Sequence, residues 1–273
     1  MFVCSLLLSM FYKNKFNHMA TIMKDEVHLW FSYPQEINSP FLLSEYLAML
    51  NEDEKTKYSS FKFERDRHQY LITRALVRCT LSHYEKNITV GQWQFSSNQY
   101  GKPFVVTSLL TTPISFNISH TKDLIVLGLC SGCEIGIDAE KTSRKLKYLD
   151  IMERFFSEQE CRDLELLPPD FRTARFYDLW TLKEAYIKAR GMGLFLPLDQ
   201  FSFTFTEDGI INIEDNEDNT VWNFFQISAG KYHKISGAVA NTTGVNKNII
   251  MKKCIPLRET VDLVLPISYG KLL

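Results

Sequence analysis

At 273 residues and 45% hydrophobic, the chain can bury the core of one large domain or two small ones. A net charge of −1 excludes the strongly basic balance of a general nucleic-acid binder. Six scattered cysteines exclude the dense disulfide framework of a small secreted domain.

Met1 to Phe11 is mostly apolar but falls short of the ~20 residues that span a bilayer. Lys13 and Lys15 follow the run instead of preceding it, and no small-residue cleavage site is evident. Residues 1–18 therefore read as a leader outside the fold, with Met19 or Met23 as alternative starts. No other stretch reads as transmembrane, so a cytoplasmic protein is expected.

The first strand is expected at Glu26 to Ser32 and a helix at Phe41 to Leu50. Asn51-Glu-Asp-Glu54 fits a capping box ahead of the next helix. Glu64 to Tyr84 is the longest helical stretch, with Leu71, Ile72, Ala75, Leu76 and Cys79 on its apolar face. Strand-like runs follow at Gln92 to Ser96 and Phe104 to Thr107, joined through Asn98 to Pro103. A hairpin is expected from Pro113 to Ile118 and Leu124 to Cys130, with Ser119 to Asp123 as its turn. Cys130-Ser-Gly-Cys133 is a lone CxxC and reads as a turn more readily than as half of a zinc site.

Ile135 to Asp138 begins a second unit. Lys141 to Lys147 is a basic loop, either solvated or in contact with an anion. Ser157 and Glu160 form a second capping box, and Phe171 to Arg190 a second long helix. Strands are expected at Phe201 to Phe205 and Ile210 to Ile213, then a hairpin from Trp222 to Ser228 and Lys234 to Ala240. The halves superpose at a shift that sets Ile118 on Ile227, Gly128 on Gly237 and Arg74 on Lys183. This order predicts an α+β pseudo-dimer of two similar subdomains, residues 19–130 and 131–243, with a tail at 244–273.

The shift also sets Ala75 on Glu184 and His120 on Ala229, so the halves differ in ionisable groups. Asp138 and Glu140, at i and i+2 of a strand, share one face. Glu184 and Lys188, at i and i+4, share one face of the second long helix. Three carboxylates beside a lysine suit a hard oxygen-seeking cation such as Mg²⁺; solvated strand-end acids fit the same spacing. His120 and Lys102 read as turn residues, and the arginines of the first long helix as a solvated face, unless they converge on an anion. Neither a Walker A run nor GxGxxG is present, nor a serine elbow or HExxH.

Several runs carry a resemblance: Phe61-Lys-Phe-Glu-Arg-Asp-Arg67, Gly101-Lys-Pro103, Phe116-Asn-Ile-Ser-His-Thr121, Gly136-Ile-Asp-Ala-Glu140, Arg154-Phe-Phe-Ser157 and Trp180-Thr-Leu-Lys-Glu-Ala-Tyr-Ile-Lys188. Together, over roughly residues 28 to 240, the chain resembles the Sfp-type 4′-phosphopantetheinyl transferases. That resemblance implies transfer of the phosphopantetheine arm of coenzyme A to a serine of an apo acyl or peptidyl carrier protein, releasing 3′,5′-ADP. It places Mg²⁺ on Asp138, Glu140 and Glu184, with the coenzyme A pyrophosphate completing the coordination. Glu184 becomes the general base and Lys188 a phosphate ligand. Arg65 and His120, with Ser119 alongside, would contact coenzyme A, and Lys102 would lie in the nucleotide pocket. It further implies a monomer with an internal pseudo-twofold; the charge balance and the lack of a spanning stretch leave no nucleic-acid or membrane partner expected. The alternative is a non-catalytic module of the same fold that binds coenzyme A or a carrier protein. One departure is the acidic run Asn51 to Glu54, where the family often carries basic residues.

Overall fold

The computed structural model describes residues 21–106, 110, 113–142, 148–242, 244 and 247–270. The expected leader and most of the basic loop lie outside them. Strand β1 (Glu26–Ser32) is followed by helices α1 (Pro40–Met49), α2 (Glu52–Ser60) and α3 (Glu64–Tyr84). Two short strands, β2 (Phe95–Ser97) and β3 (Pro103–Val105), precede the long pair β4 (Ile114–His120) and β5 (Ile125–Ser131). The same succession then recurs. It runs through β6 (Ile135–Lys141), α4 (Tyr148–Phe155), α5 (Glu158–Leu166), α6 (Pro169–Arg190), β7 (Ser202–Phe205), β8 (Ile211–Glu214), β9 (Trp222–Ala229) and β10 (His233–Ala240). The chain continues into β11 (Asn248–Ile255), β12 (Glu259–Asp262) and β13 (Ile267–Tyr269). The fold is the expected α+β pseudo-dimer.

Of the two larger sheets, one has the order β12-β11-β1-β5-β4 and the other β13-β9-β10-β6, while β2-β3 and β7-β8 form two-stranded sheets. Strand side chains alternate between faces, which sorts the core into three parts. Val27, Leu29 and Phe31 of β1 join Ile135, Ile137, Phe225 and Ile235 in a core shared by the two sheets. Trp30 faces the other way and packs with Ile72 and Leu76 of α3. Leu182, Tyr186 and Phe224 lie in the equivalent core under α6. The layers therefore run helix, sheet, sheet, helix.

Both capping boxes form, and each does a second job. Asn51 caps α2 while Glu54 reaches back to the Asn51 N–H at 3.1 Å; Ser157 and Glu160 repeat this on α5. Each glutamate also meets a fully buried cation from the long helix of its own half. Arg78 pairs with Glu54 at 2.7 Å, and Lys183 with Glu160 at 2.7 Å. Arg78 donates to the carbonyls of Val90 and Trp93; Lys183 donates to those of Leu198 and Phe201. These staples correct the helical register of the repeat, because Arg78, not Arg74, answers Lys183. Cys79, one turn beyond Ala75, therefore answers Glu184. In the strands, Gly128 faces Asn117 while Gly237 faces Phe225. Phe225 thus answers Asn117, one residue short of the uniform shift, and His120 answers Ser228 instead of Ala229.

Two local expectations also change. Ser119 and His120 belong to β4, since His120 still pairs with Ile125, and the turn begins at Thr121. Residues past 247 add β11 and β12 to the first sheet and β13 to the second. No helix among the described residues is long and apolar enough to cross a membrane.

Candidate active site

The site forms where α6 lies on β6. That approach depends on Gly136, because a Cβ there would sit 2.0 Å from the Ala185 carbonyl oxygen and 2.3 Å from the Ala189 nitrogen. Those contacts are backbone atoms and cannot swing aside. Its absence brings the last two turns of α6 directly over the strand, with Glu184 and Lys188 beside Asp138.

Asp138 is 4% exposed. Its Oδ1 accepts from Lys188 Nζ at 2.6 Å and from Ser119 Oγ at 3.1 Å. Its buried Oδ2 has no partner among the described residues. Lys188 Nζ also donates to the Ile137 carbonyl at 3.3 Å and to Ser119 Oγ at 3.4 Å. Burial pushes the half-buried Glu184 carboxyl up; the Asp138 carboxylate adds to this, Lys188 opposes it, and Glu140 adds further. His120 stands at the exposed end of β4. Burial of its ring and the neighbouring Lys188 ammonium hold its imidazole below the ordinary value.

Neighbouring edges of the two sheets supply the rest of the frame. Asn117 Oδ1 of β4 accepts from the Ile137 N–H at 2.9 Å, and Ser119 Oγ accepts from the Ala139 N–H at 3.0 Å. Side chains of β4 thus replace a backbone ladder along β6 and fix Asp138 from both sides. Beyond β4, Asp123 accepts from His233 at 2.9 Å and pairs with Lys141, tying the turn of one half to the second sheet.

Sequence-predicted residues divide in two. The structure brings Ser119, His120, Asp138, Glu140, Glu184 and Lys188 to one place, by direct contact or by mutual electrostatic influence. Arg65 is exposed near the start of α3, with its guanidinium on Asp66 at 2.9 Å, and does not join this cluster. Lys102 lies at the C-terminal end of α6. It helps line a cavity of about 290 Å³ with Asn98, Phe104, Phe116, Glu134 and Arg190. Asn98 and Asn117 were missed in sequence. Both lie within motifs already singled out, but their roles depend on backbone atoms of the other half.

The donor set suits a hard cation: carboxylate oxygens, one of them buried and unpartnered, with a hydroxyl behind. Among the described residues, no three His, Cys, Asp or Glu side chains already stand gathered tightly enough to chelate one. The Lys188 ammonium lies on Asp138 and compensates its charge. Asp138, Glu140 and Glu184 fit a divalent ion by chemistry and neighbourhood.

Known proteins match the same stretches. A family model described as the 4′-phosphopantetheinyl transferase superfamily matches residues 134–240. Another, described as 4′-phosphopantetheinyl transferase, N-terminal, matches residues 38–131. The chain is 36% identical over 169 residues to 4′-phosphopantetheinyl transferase Sfp of Bacillus subtilis (strain 168), covering 62% of this chain and 72% of that protein. A second Bacillus subtilis 4′-phosphopantetheinyl transferase is 38% identical over 168 residues, with the same coverage. A phosphopantetheinyl transferase of Thraustochytrium sp. is 31% identical over 207 residues, 70% of each chain. The strand and helix that build the carboxylate–lysine cluster both fall within the superfamily match, and the chain belongs to the 4′-phosphopantetheinyl transferases, as an enzyme of that type.

Proposed function

We propose that this enzyme transfers the 4′-phosphopantetheine arm of coenzyme A to a serine of an apo acyl or peptidyl carrier protein, with Mg²⁺, releasing 3′,5′-ADP. The observation that carries this reading is the buried, unpartnered Asp138 Oδ2 beside Glu184 and Lys188. Asp138, Glu140 and Glu184 would hold the metal, which when bound supplies charge neutralisation at the pyrophosphate.

The chain's own residues do the remaining work. No nucleophile is required of them, because the attacking hydroxyl belongs to the carrier. Glu184 takes the serine proton, directly or through one water. Lys188 turns from Asp138 to a phosphate oxygen and stabilises the departing charge. Ser119 and the two β6 N–H contacts keep Asp138 in place while Lys188 moves. His120 and Arg65 contact phosphate groups of coenzyme A, and the turn that carries Lys102 borders the nucleotide pocket with its backbone, the Lys102 ammonium being held at the end of α6. The reading carries with it a monomer working in the cytoplasm.

The test is incubation with coenzyme A, Mg²⁺ and a panel of apo acyl and peptidyl carriers, read by mass spectrometry. One carrier should gain a single phosphopantetheine group, and a chelator should stop the gain until Mg²⁺ is restored. Glu184→Gln should slow turnover by ~10²-fold or more. A protein that binds no coenzyme A and modifies no carrier sinks the activity; full rates in both Glu184→Gln and Asp138→Ala sink the site.

A further inference from the structure

The end of α6 is held by the other half of the molecule. Gly191 closes the helix in a left-handed conformation at φ +66°, and its N–H returns to the Ile187 carbonyl. The last carbonyls of a helix have no partner within it and carry partial negative charge. Here the turn between β2 and β3 supplies the partners. Lys102 Nζ donates to the Ala189 carbonyl at 2.8 Å, and Asn98 Nδ2 donates to the Gly191 carbonyl at 2.8 Å. The fit is close, since a Cβ on Gly191 would meet Lys102 Cδ at 2.9 Å and Asn98 Nδ2 at 3.1 Å.

Asn98 and Lys102 act as one piece. Asn98 Oδ1 accepts from the N–H groups of Tyr100 and Lys102, both at 2.9 Å, so one side chain orders the turn and reaches across with its other end. The Lys102 ammonium is also paired with Glu134, in the connection between the halves. Its head group is engaged twice by protein, at the helix end and at the acid. The helix end it holds adjoins Lys188, the lysine on Asp138.

We propose that Asn98 and Lys102 are positioning residues, a clasp from the first half that caps the last turn of α6 and thereby sets Lys188 over Asp138. This rests on the transfer reaction for its kinetic test but not for its structural one. Lys102 acts on the reaction through Ala189 and its neighbour Lys188, and Asn98 through Gly191. The clasp also explains why the turn and the helix end meet with so little space between them.

Three variants decide it: Lys102→Met, Asn98→Asp and the double variant. Asn98→Asp keeps the oxygen that orders the turn and removes the donor to Gly191. Each single variant should lower kcat about tenfold or more, since small displacements at a reacting group are costly. KM for coenzyme A should stay within about twofold, the signature of an interaction made in the transition state and not in ligand binding. The double variant should be no slower than the slower single one, because both changes release the same helix end. Amide hydrogen exchange at residues 187–190 should rise in all three, while the β6 amides keep wild-type protection. The inference is overturned if Lys102→Met raises KM for coenzyme A at unchanged kcat, or if exchange at 187–190 stays at the wild-type level. Should the wild-type protein transfer nothing, the function proposed above fails, and exchange alone still decides the clasp.

Discussion

The two halves share one plan but use the space between strand and long helix in opposite ways. Leu29 faces Gly128 as Ile137 faces Gly237, so Trp30 of β1 answers Asp138 of β6. The staples set Arg78 against Lys183, so His83 answers Lys188. In the second half these positions hold a carboxylate and an ammonium 2.6 Å apart. In the first they hold an indole and an imidazole, edge to face at 5.4 Å between centroids. Where β6 has Gly136, β1 has His28, buried and hydrogen-bonded to the Tyr84 hydroxyl at 2.6 Å. Aromatic side chains fill the strand–helix gap in one half. A missing Cβ closes it in the other. The difference teaches that the reactive groups are not an addition to a standard frame. They occupy positions that, in the twin, are packed core.

The staples are the strictest test of this equivalence. Lys183→Met leaves Glu160, 1% exposed, without its ion pair at 2.7 Å, and should cost about 4 kcal/mol in denaturant unfolding. Arg78→Met should cost less, about 2–3 kcal/mol, because Arg74 still pairs with Glu54. Equal losses would break the reading that the second staple stands alone.

Gly136→Ala addresses the gap itself. The new Cβ must push α6 from β6, which should cost about 2–3 kcal/mol of stability and lower transfer disproportionately. His28→Ala in the first half should cost a similar amount of stability while leaving the rate near wild type. A Gly136→Ala protein with normal turnover would show that the close approach is not needed.

The effect that is smallest at neutral pH is a pH dependence on the aromatic side. Burial and then the positive charges of Lys252 and Lys86 hold His83 down to about 4, from 6.5. Above 6.5 the group is neutral in both states and contributes nothing. As pH falls from 6.5 toward 4 the unfolded chain takes up a proton that the folded one refuses, so stability declines over that window. His83→Asn should flatten that part of the unfolding curve, measured by urea titration at successive pH values.

Much of this was legible because it is local. The bounds of β1 and α3 follow from residue spacing, and both capping boxes are i, i+3 pairs whose chemistry needs no distant partner. Asp138, Glu140, Glu184 and Lys188 could be placed on faces by period alone. What escaped were contacts between elements distant in the chain. Glu54 and Glu160 looked finished as caps, yet each reaches a cation more than a helix away. Lys102 looked like a turn lysine, and its work lies on a carbonyl of another element. Ser119 and His120 were assigned to a turn because the polar run from Ser119 to Asp123 hid a strand that continues to its pairing limit.

Strand β1 pairs on one side with β5 and on the other, in parallel, with β11, where Glu26 meets Asn248. A ribosome releases the first of those residues long before the second. Until β11 emerges, one flank of β1 is an open row of amides and carbonyls, the kind of edge that recruits strands from other chains. Closing it requires a loop spanning most of the described residues, which favours late, slow completion. β11, synthesised long after β1, thus seals it, and the newborn enzyme depends on being shielded, or on folding its second half promptly, before β1 is safe.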